Sequence, residues 1–383
     1  MVRAMLRVKL LACCVLWAFL VCSSKSPTTP KESHMTDIPS IRVAINGYGV
    51  IGKRVADAIL AQPDMTLVGV SDVGTDWRVR GALEQDIALY ASTPRARVSM
   101  DIRGWEIAGQ LEDLLSECDV VVDATPKGVG AANMEVYQDF GVRVVLQGGE
   151  AHEVTGHSFV AQANYESAMN RPSTRVVSCN TTSTVRTLGA LRAAGLLRRA
   201  RGVLIRRATD PWESDHTGIM NTLVPEPKIP SHQSPDAQTV LPDLDVVTMA
   251  VKASHTQSHQ HFWVVDLTRQ TTRDEILEIF EATPRIAMMR TTDGFVAVNS
   301  THEFMKDLGR PRGDMWEVGL WEDILKVEGD QLLYTYQVDN QAIVVPETID
   351  AIRALMGTTP RESSMARTDS FLGVRDSFLD VKR

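Results

Sequence analysis

Cysteine is scarce in this chain, and its few copies are unevenly placed. Of five, Cys13, Cys14 and Cys22 fall in the first 22 residues, and only Cys118 and Cys179 remain in the body. No paired CxxC spacing occurs, so neither a disulfide framework nor a zinc pattern is legible. The body therefore reads as a reduced, cytoplasmic protein that calls for no metal. Excess positive charge is missing too. Forty Lys and Arg stand against 48 Asp and Glu, a net charge of −8, which argues against a general nucleic-acid binder. An anionic substrate would need local arginines and lysines. The apolar run Leu10 to Cys22 is too short for a comfortable membrane span, and no internal repeat or low-complexity tract is present. What remains is an ordinary globular composition, 44% hydrophobic and 23% charged over 383 residues, which makes two domains the default.

The first residues stand apart. Met1 to Lys9 is basic, Leu10 to Cys22 apolar, and Ser23 to Glu32 polar with prolines, the layout of a secretory signal. The plainer reading starts translation at Met35. Residues 1–34 are set aside from the fold on either reading, and a membrane role follows only if they are real.

From Ile41 the pattern becomes regular. Strand-like runs at 41–46, Thr66 to Ser71, Val120 to Val122 and Val142 to Leu146 alternate with helical ones. That alternation indicates a mostly parallel, doubly wound sheet over residues 40–178. Beyond Cys179 the runs Gly202 to Ile205, Val246 to Val251, His261 to Leu267 and Leu332 to Val338 are strand-like, with one clear helix, Arg273 to Ala282. This predicts an α+β domain over 179–344 with a mixed or antiparallel sheet. The helical tail from about 345 to 383 is expected to pack back on the first domain.

Two segments carry chemistry. Gly47-Tyr48-Gly49-Val50-Ile51-Gly52 lies between a strand and a helix, and Asp72 ends the next strand, about 20 residues on. This is a dinucleotide-binding turn in its expected context: glycines admit the pyrophosphate, and the helix N-terminus attracts it. Ser178-Cys179-Asn180-Thr181-Thr182 follows a β-branched run and opens a helix. Unpaired N–H groups there favour an anion, so Cys179 reads as a thiolate nucleophile, whereas Cys118 reads as an inert core thiol. His259 and His261, two apart on a strand, share one face. Arg206 and Arg207 end a strand, and read either as a phosphate grip or as a solvated strand end.

Together these segments resemble archaeal-type (type II) phosphorylating glyceraldehyde-3-phosphate dehydrogenases. The likeness runs from about Ile41 to Met356. It rests on Val43 to Arg54, Leu146 to Glu150, Val176 to Thr182, Arg206 to Pro211, Pro230 to His232, Thr283 to Ile286, Asp307 to Arg310 and Ile343 to Ala354. The resemblance implies a Rossmann domain and a catalytic domain in a homotetramer. It implies Cys179 as nucleophile, with Val50, Ile51, Gly148, Arg206 and Asn340 lining NAD or NADP. Ser178, Asn180, His232 and Gln233 would touch the substrate, and the catalytic histidine would be His259 or His261, with His259 favoured. It further implies that the histidine takes a proton as hydride leaves, and that inorganic phosphate cleaves the resulting thioester. Departures are Ser183 after Cys-Asn-Thr-Thr, Gln233 after His232, and Asp72 where many relatives carry Lys. Asp72 tilts the expectation towards NAD, with Arg78 and Arg80 near enough to compensate. Two alternatives stay open: another cysteine-dependent semialdehyde or acyl-phosphate reductase, such as aspartate-semialdehyde dehydrogenase, and an exported, non-catalytic nucleotide-binding protein.

Overall fold

Ile41–Asn46 forms strand β1, buried at every position but Arg42. Burial on both faces is what a parallel strand covered by helices requires, and it explains the apolar run Val43–Ile45. A computed structural model describes residues 40–379 except Gly148 and His216. The segment 1–34, Gly148 and the last residues of the C-terminal region thus lie outside the described residues.

After β1 the chain turns through Gly47, enters helix α1 (Val50–Leu60) and returns as β2 (Met65–Asp72). The sheet is completed by β3 (Leu89–Ala91), β4 (Gly109–Gln110), β5 (Val120–Asp123), β6 (Arg143–Leu146), β7 (Ser158–Phe159) and β8 (Ser173–Val176). Its order is β4-β3-β2-β1-β5-β6-β8-β7, with parallel pairing throughout. The order reverses between β1 and β5, so a crevice opens at their C-terminal ends, where doubly wound folds bind nucleotides.

Helix α2 (Cys179–Ala193) leads out of this sheet, and every residue from Asn180 to Leu188 is buried. Such a hydroxyl-rich helix can be buried because its side chains bond back to its own carbonyls. Ser183 Oγ and Thr184 Oγ1 donate to Asn180 O at 2.9 and 2.8 Å, and Thr187 Oγ1 to Ser183 O at 3.1 Å.

The second sheet comprises β9 (Leu197–Arg207), β10 (Leu223–Pro225), β11 (Val246–Ala253), β12 (His259–Leu267), β13 (Ile286–Met289), β14 (Val318–Trp321), β15 (Lys326–Glu328) and β16 (Gln331–Val338). The order is β10-β11-β9-β12-β16-β14-β13, with β15 on β16. Pairing is mixed: β9 runs parallel to β11 but antiparallel to β12. Along β12 the buried positions are His259, His261, Trp263, Val265 and Leu267, the period-2 face that the sequence predicts. Among the strands of this second sheet lie two helices that the sequence analysis does not single out, Gln233–Gln238 and Val298–Asp307.

The C-terminal helices α3 (Val344–Met356) and α4 (Arg361–Leu372) tie the parts together. In α3, Glu347 accepts from Ala161 N at 2.6 Å and pairs with Arg186 of α2 at 2.5 Å and Arg285 at 3.1 Å. Arg285 also pairs with Asp350 at 2.6 Å, and Arg353 reaches Asp64, just before β2, at 2.8 Å. Burial pushes the Glu347 carboxyl up, but Arg186 and Arg285 outweigh it and hold the pKa below the ordinary value.

Candidate active site

The glycine turn is built by sterics. Gly47 has φ +96°, and a Cβ there would lie 2.8 Å from the Ala124 carbonyl carbon, so only glycine fits. A Cβ on Gly52 would sit 1.9 Å from Gly47 O, hence the close seating of α1 on the turn. At Gly49 an added Cβ meets nothing within 4 Å, because this residue faces open space. No side chain caps α1, so its first N–H groups are left for an anion. Asp72 ends β2 beside this turn. Its Oδ2 accepts from Tyr48 N and its Oδ1 from Gly74 N, both at 2.7 Å.

A cleft of about 340 Å³ opens from Gly49 and Val50. Arg78 lies over the Trp212 ring at 4.4 Å while bound to Asp76. Lys53 lies 5.3 and 5.4 Å from the Tyr48 and Trp77 rings. Its far side is Gln257 and Asn340. Asn340 Oδ1 accepts from Ser258 N at 2.8 Å, which carries the cleft to the foot of His259. Ile51 is not among the lining residues; it packs, half-buried, against the core. Arg206 does not line the cleft either.

Cys179 is the first residue of α2, and Ser178 caps the helix by accepting from Thr181 N. Its Sγ lies 3.4 Å from His259 Nε2. The Nδ1 of the same ring accepts from the backbone N–H of Arg207 at 3.0 Å. His261 is engaged elsewhere: Nε2 meets Asn180 Oδ1 and Nδ1 meets the Tyr336 hydroxyl, both at 2.8 Å. The two histidines share a face, but only His259 meets the sulfur. One expectation is reversed. Burial pushes the Cys179 thiol up to about 11, with Arg207 opposing, so the free thiol is neutral at physiological pH despite its helix-start position. Burial and then Arg207 hold His259 well below the ordinary histidine value.

The paired arginines are already neutralised, Arg206 by Glu226 at 3.0 Å and Arg207 by Asp210 at 3.2 Å. Glu226 also takes the exposed His232 through Nδ1 at 3.1 Å. Gln233 is buried, accepts from Ser231 Oγ and touches His232 Nε2 at 3.1 Å.

Two family models match the chain. One is described as the glyceraldehyde 3-phosphate dehydrogenase C-terminal domain, over residues 178–309. The other is the dihydrodipicolinate reductase N-terminus, over residues 41–180. The protein named glyceraldehyde-3-phosphate dehydrogenase from Metallosphaera sedula is 44% identical over 343 residues, covering 88% of this chain and 99% of the relative. The chain belongs to the glyceraldehyde-3-phosphate dehydrogenase family. Proteins of the same name from Methanobrevibacter smithii and Thermococcus kodakarensis are 42% and 41% identical, each over 87% of this chain and 99% of their own length. The family is one of oxidoreductases, and its dinucleotide-binding half coincides with the parallel sheet.

In this member of the family two site residues escape sequence reasoning. Glu226 draws Arg206 and His232 together. Asp236 accepts from Thr181 Oγ1 at 2.6 Å and from Arg175 at 2.7 Å, underneath the turn that carries Cys179. Neither lies in a motif, and no local pattern marks them. Among the described residues no helix is long and apolar enough to cross a membrane.

Proposed function

We propose that this protein oxidises glyceraldehyde 3-phosphate to 1,3-bisphosphoglycerate through a thioester on Cys179, with inorganic phosphate as the acyl acceptor. The observation that carries the reading is Cys179 Sγ at 3.4 Å from His259 Nε2, at the start of a helix, where a dinucleotide cleft ends. Ser178 and Asn180 flank the sulfur. The N–H groups of Cys179 and Asn180, ahead of the Thr181 N–H that Ser178 caps, would hold an oxyanion. Arg206 and Arg207 are the cations felt by the sulfur, and a phosphorylated aldehyde would engage them by displacing Glu226 and Asp210. A bound nicotinamide dinucleotide supplies the hydride acceptor; Gly47, Gly49, Val50 and Gly52 would hold its pyrophosphate, and Asn340 lines the nicotinamide end. Residues 40–178, with the C-terminal helices, form the nucleotide-binding part in this reading, and 179–344 the catalytic part.

NAD is the favoured cofactor. Asp72 presents a carboxylate where the adenosine ribose would lie, and it repels a 2′-phosphate. Arg78 is already bound to Asp76 and Arg80 to Glu84. Self-association is supported by the outer face of the second sheet. Phe262, Val203 and Met249 lie in register across β12, β9 and β11, all exposed, and an apolar face of this kind suits a second copy of the chain.

The test is a spectrophotometric assay with NAD and NADP, with and without phosphate, using glyceraldehyde 3-phosphate and aspartate semialdehyde. Phosphate-dependent reduction with the former supports the reading. Turnover of the semialdehyde alone would replace it.

A further inference from the structure

We propose that Asp314 is a proton-taking counterion beneath the dinucleotide cleft: when the cofactor binds, Asp314 picks up a proton on Oδ2 and leaves the charge of Arg54 to the pyrophosphate. The inference rests on the dinucleotide reading of the cleft. It starts from one side chain shared by two spaces. Arg54 of α1 lines the cleft and also a cavity of about 120 Å³ behind the helix. Its Nη1 donates to Val50 O at 2.9 Å and its Nε to Asp314 Oδ1 at 2.8 Å. Both members of this ion pair are buried. The guanidinium is thus held against the turn that would carry the pyrophosphate, with a carboxyl group at its back.

The two oxygens of Asp314 are not alike. Oδ1 has Arg54, whereas Oδ2 is buried without a hydrogen-bond partner. A buried carboxylate with one oxygen unpaired is costly. A proton on Oδ2 removes that cost, while Oδ1, then a carbonyl oxygen, still accepts from Arg54. Protonation therefore changes the charge without moving the guanidinium. The loop that carries Asp314 is fixed on both sides. Arg312, at φ 56°, pairs with Asp57 of α1. A Cβ on Gly313 would lie 2.6 Å from His302 Cε1.

The surroundings set the balance. Ala58 and Ala61 of α1, Trp316, and Phe371 and Leu372 of α4 wall the cavity. Burial pushes the Asp314 carboxyl up to about 7; Arg54 and Arg312 pull it down, and Asp339, which lines the cleft, pushes it up. The other charges nearby have partners of their own. Asp57 holds Arg312, Glu317 holds Arg310, and His302 meets Gln257 at 3.1 Å. A bound pyrophosphate is a dianion on the Arg54 side. It draws on the same guanidinium and raises the Asp314 carboxyl further, so a proton enters from solvent. By linkage, the gain in affinity is complete below the free-state value and is lost as pH rises through the bound-state value.

Calorimetric titration of the full chain with NAD, in two buffers of different ionisation enthalpy, counts the proton. Near pH 7.5, roughly 0.4–0.5 proton should be taken up per bound NAD. Affinity should rise roughly five- to tenfold from pH 9 to pH 6, the effect of one charge on a dianion across about 10 Å of screened interior. Asp314→Asn keeps the Oδ1 acceptor but cannot titrate. It should lose the uptake and flatten the pH profile at the tight, acidic level. Parental uptake in this variant overturns the proposal, as does an affinity lowered equally at every pH, which lost packing would give. Infrared difference spectra of the unsubstituted protein read the carboxyl independently. NAD should raise the carbonyl band of a protonated carboxyl group, and bound NAD without that band also overturns the proposal. Failure of the underlying reading looks different: NAD would bind at no pH, and the proposal would fall with it.

Discussion

Alkylation of Cys179 in the free enzyme should be slow at neutral pH and should climb with pH without levelling off. Two effects compete at this sulfur. Burial disfavours a thiolate, while Arg207 and the Asn180 N–H at the start of α2 favour it, and the balance moves the pKa from the ordinary 9.0 to about 11. At pH 7.5 about one molecule in 3,000 would then be ionised, against about one in 30 at the ordinary value, roughly a 100-fold difference. Iodoacetamide reacts with the thiolate, so its rate should rise about tenfold per pH unit up to at least pH 9.5. Cys118 should remain slower, since burial and the nearby Asp119 push it up to about 12. Arg207→Met removes the cation that opposes burial, and should slow Cys179 further. The assay is peptide mass spectrometry after timed quenching across a pH series. A plateau below pH 8 would refute the reasoning, because the helix start would then outweigh burial.

Glu347→Ala leaves Arg186 and Arg285 buried beside a missing partner, and should cost about 3–5 kcal/mol of stability by chemical denaturation; a loss under 1 kcal/mol would show that the cluster relaxes. Asp72→Ser removes the carboxylate bonded to Tyr48 N and Gly74 N, and should lower the NAD to NADP ratio of kcat/KM by about tenfold or more, on the strength of a charged hydrogen bond. A parental enzyme that strongly prefers NADP would contradict the role given to Asp72. Phe262→Asp puts a charge at the centre of the exposed apolar face without touching the core, and should dissociate the assembly in light scattering; an unchanged mass would move the interface elsewhere.

What was legible in the sequence is what local sterics and period decide. The glycine turn could be read because Gly47 and Gly52 answer close approaches, and Asp72 because it ends the next strand. The shared face of His259 and His261 follows from the two-residue repeat of β12. The choice between them does not, because it depends on β9 bringing the Arg207 N–H to one ring and on α2 bringing Asn180 to the other. Glu226 meets Arg206 across 20 residues of chain, a distance at which no motif operates. The direction of the Cys179 shift was missed for a related reason. Its Asn180, Thr181 and Thr182 neighbours look solvent-facing in the sequence, yet they are buried, with the threonine hydroxyls held by Asp236 and the Val177 carbonyl. Glu347 and Asp350 of α3 are likewise buried beside partners from distant parts of the chain, Arg186 and Arg285.

The central claim is that Cys179 carries the acyl group. Mixing enzyme, glyceraldehyde 3-phosphate and the better cofactor without phosphate, quenching in acid and mapping peptides by mass spectrometry tests it directly. A phosphoglyceroyl adduct on the peptide that contains Cys179, formed with one equivalent of reduced cofactor and discharged on adding phosphate, is the expected result. Reduced cofactor without an adduct on that peptide, or an adduct on another residue, would contradict the account.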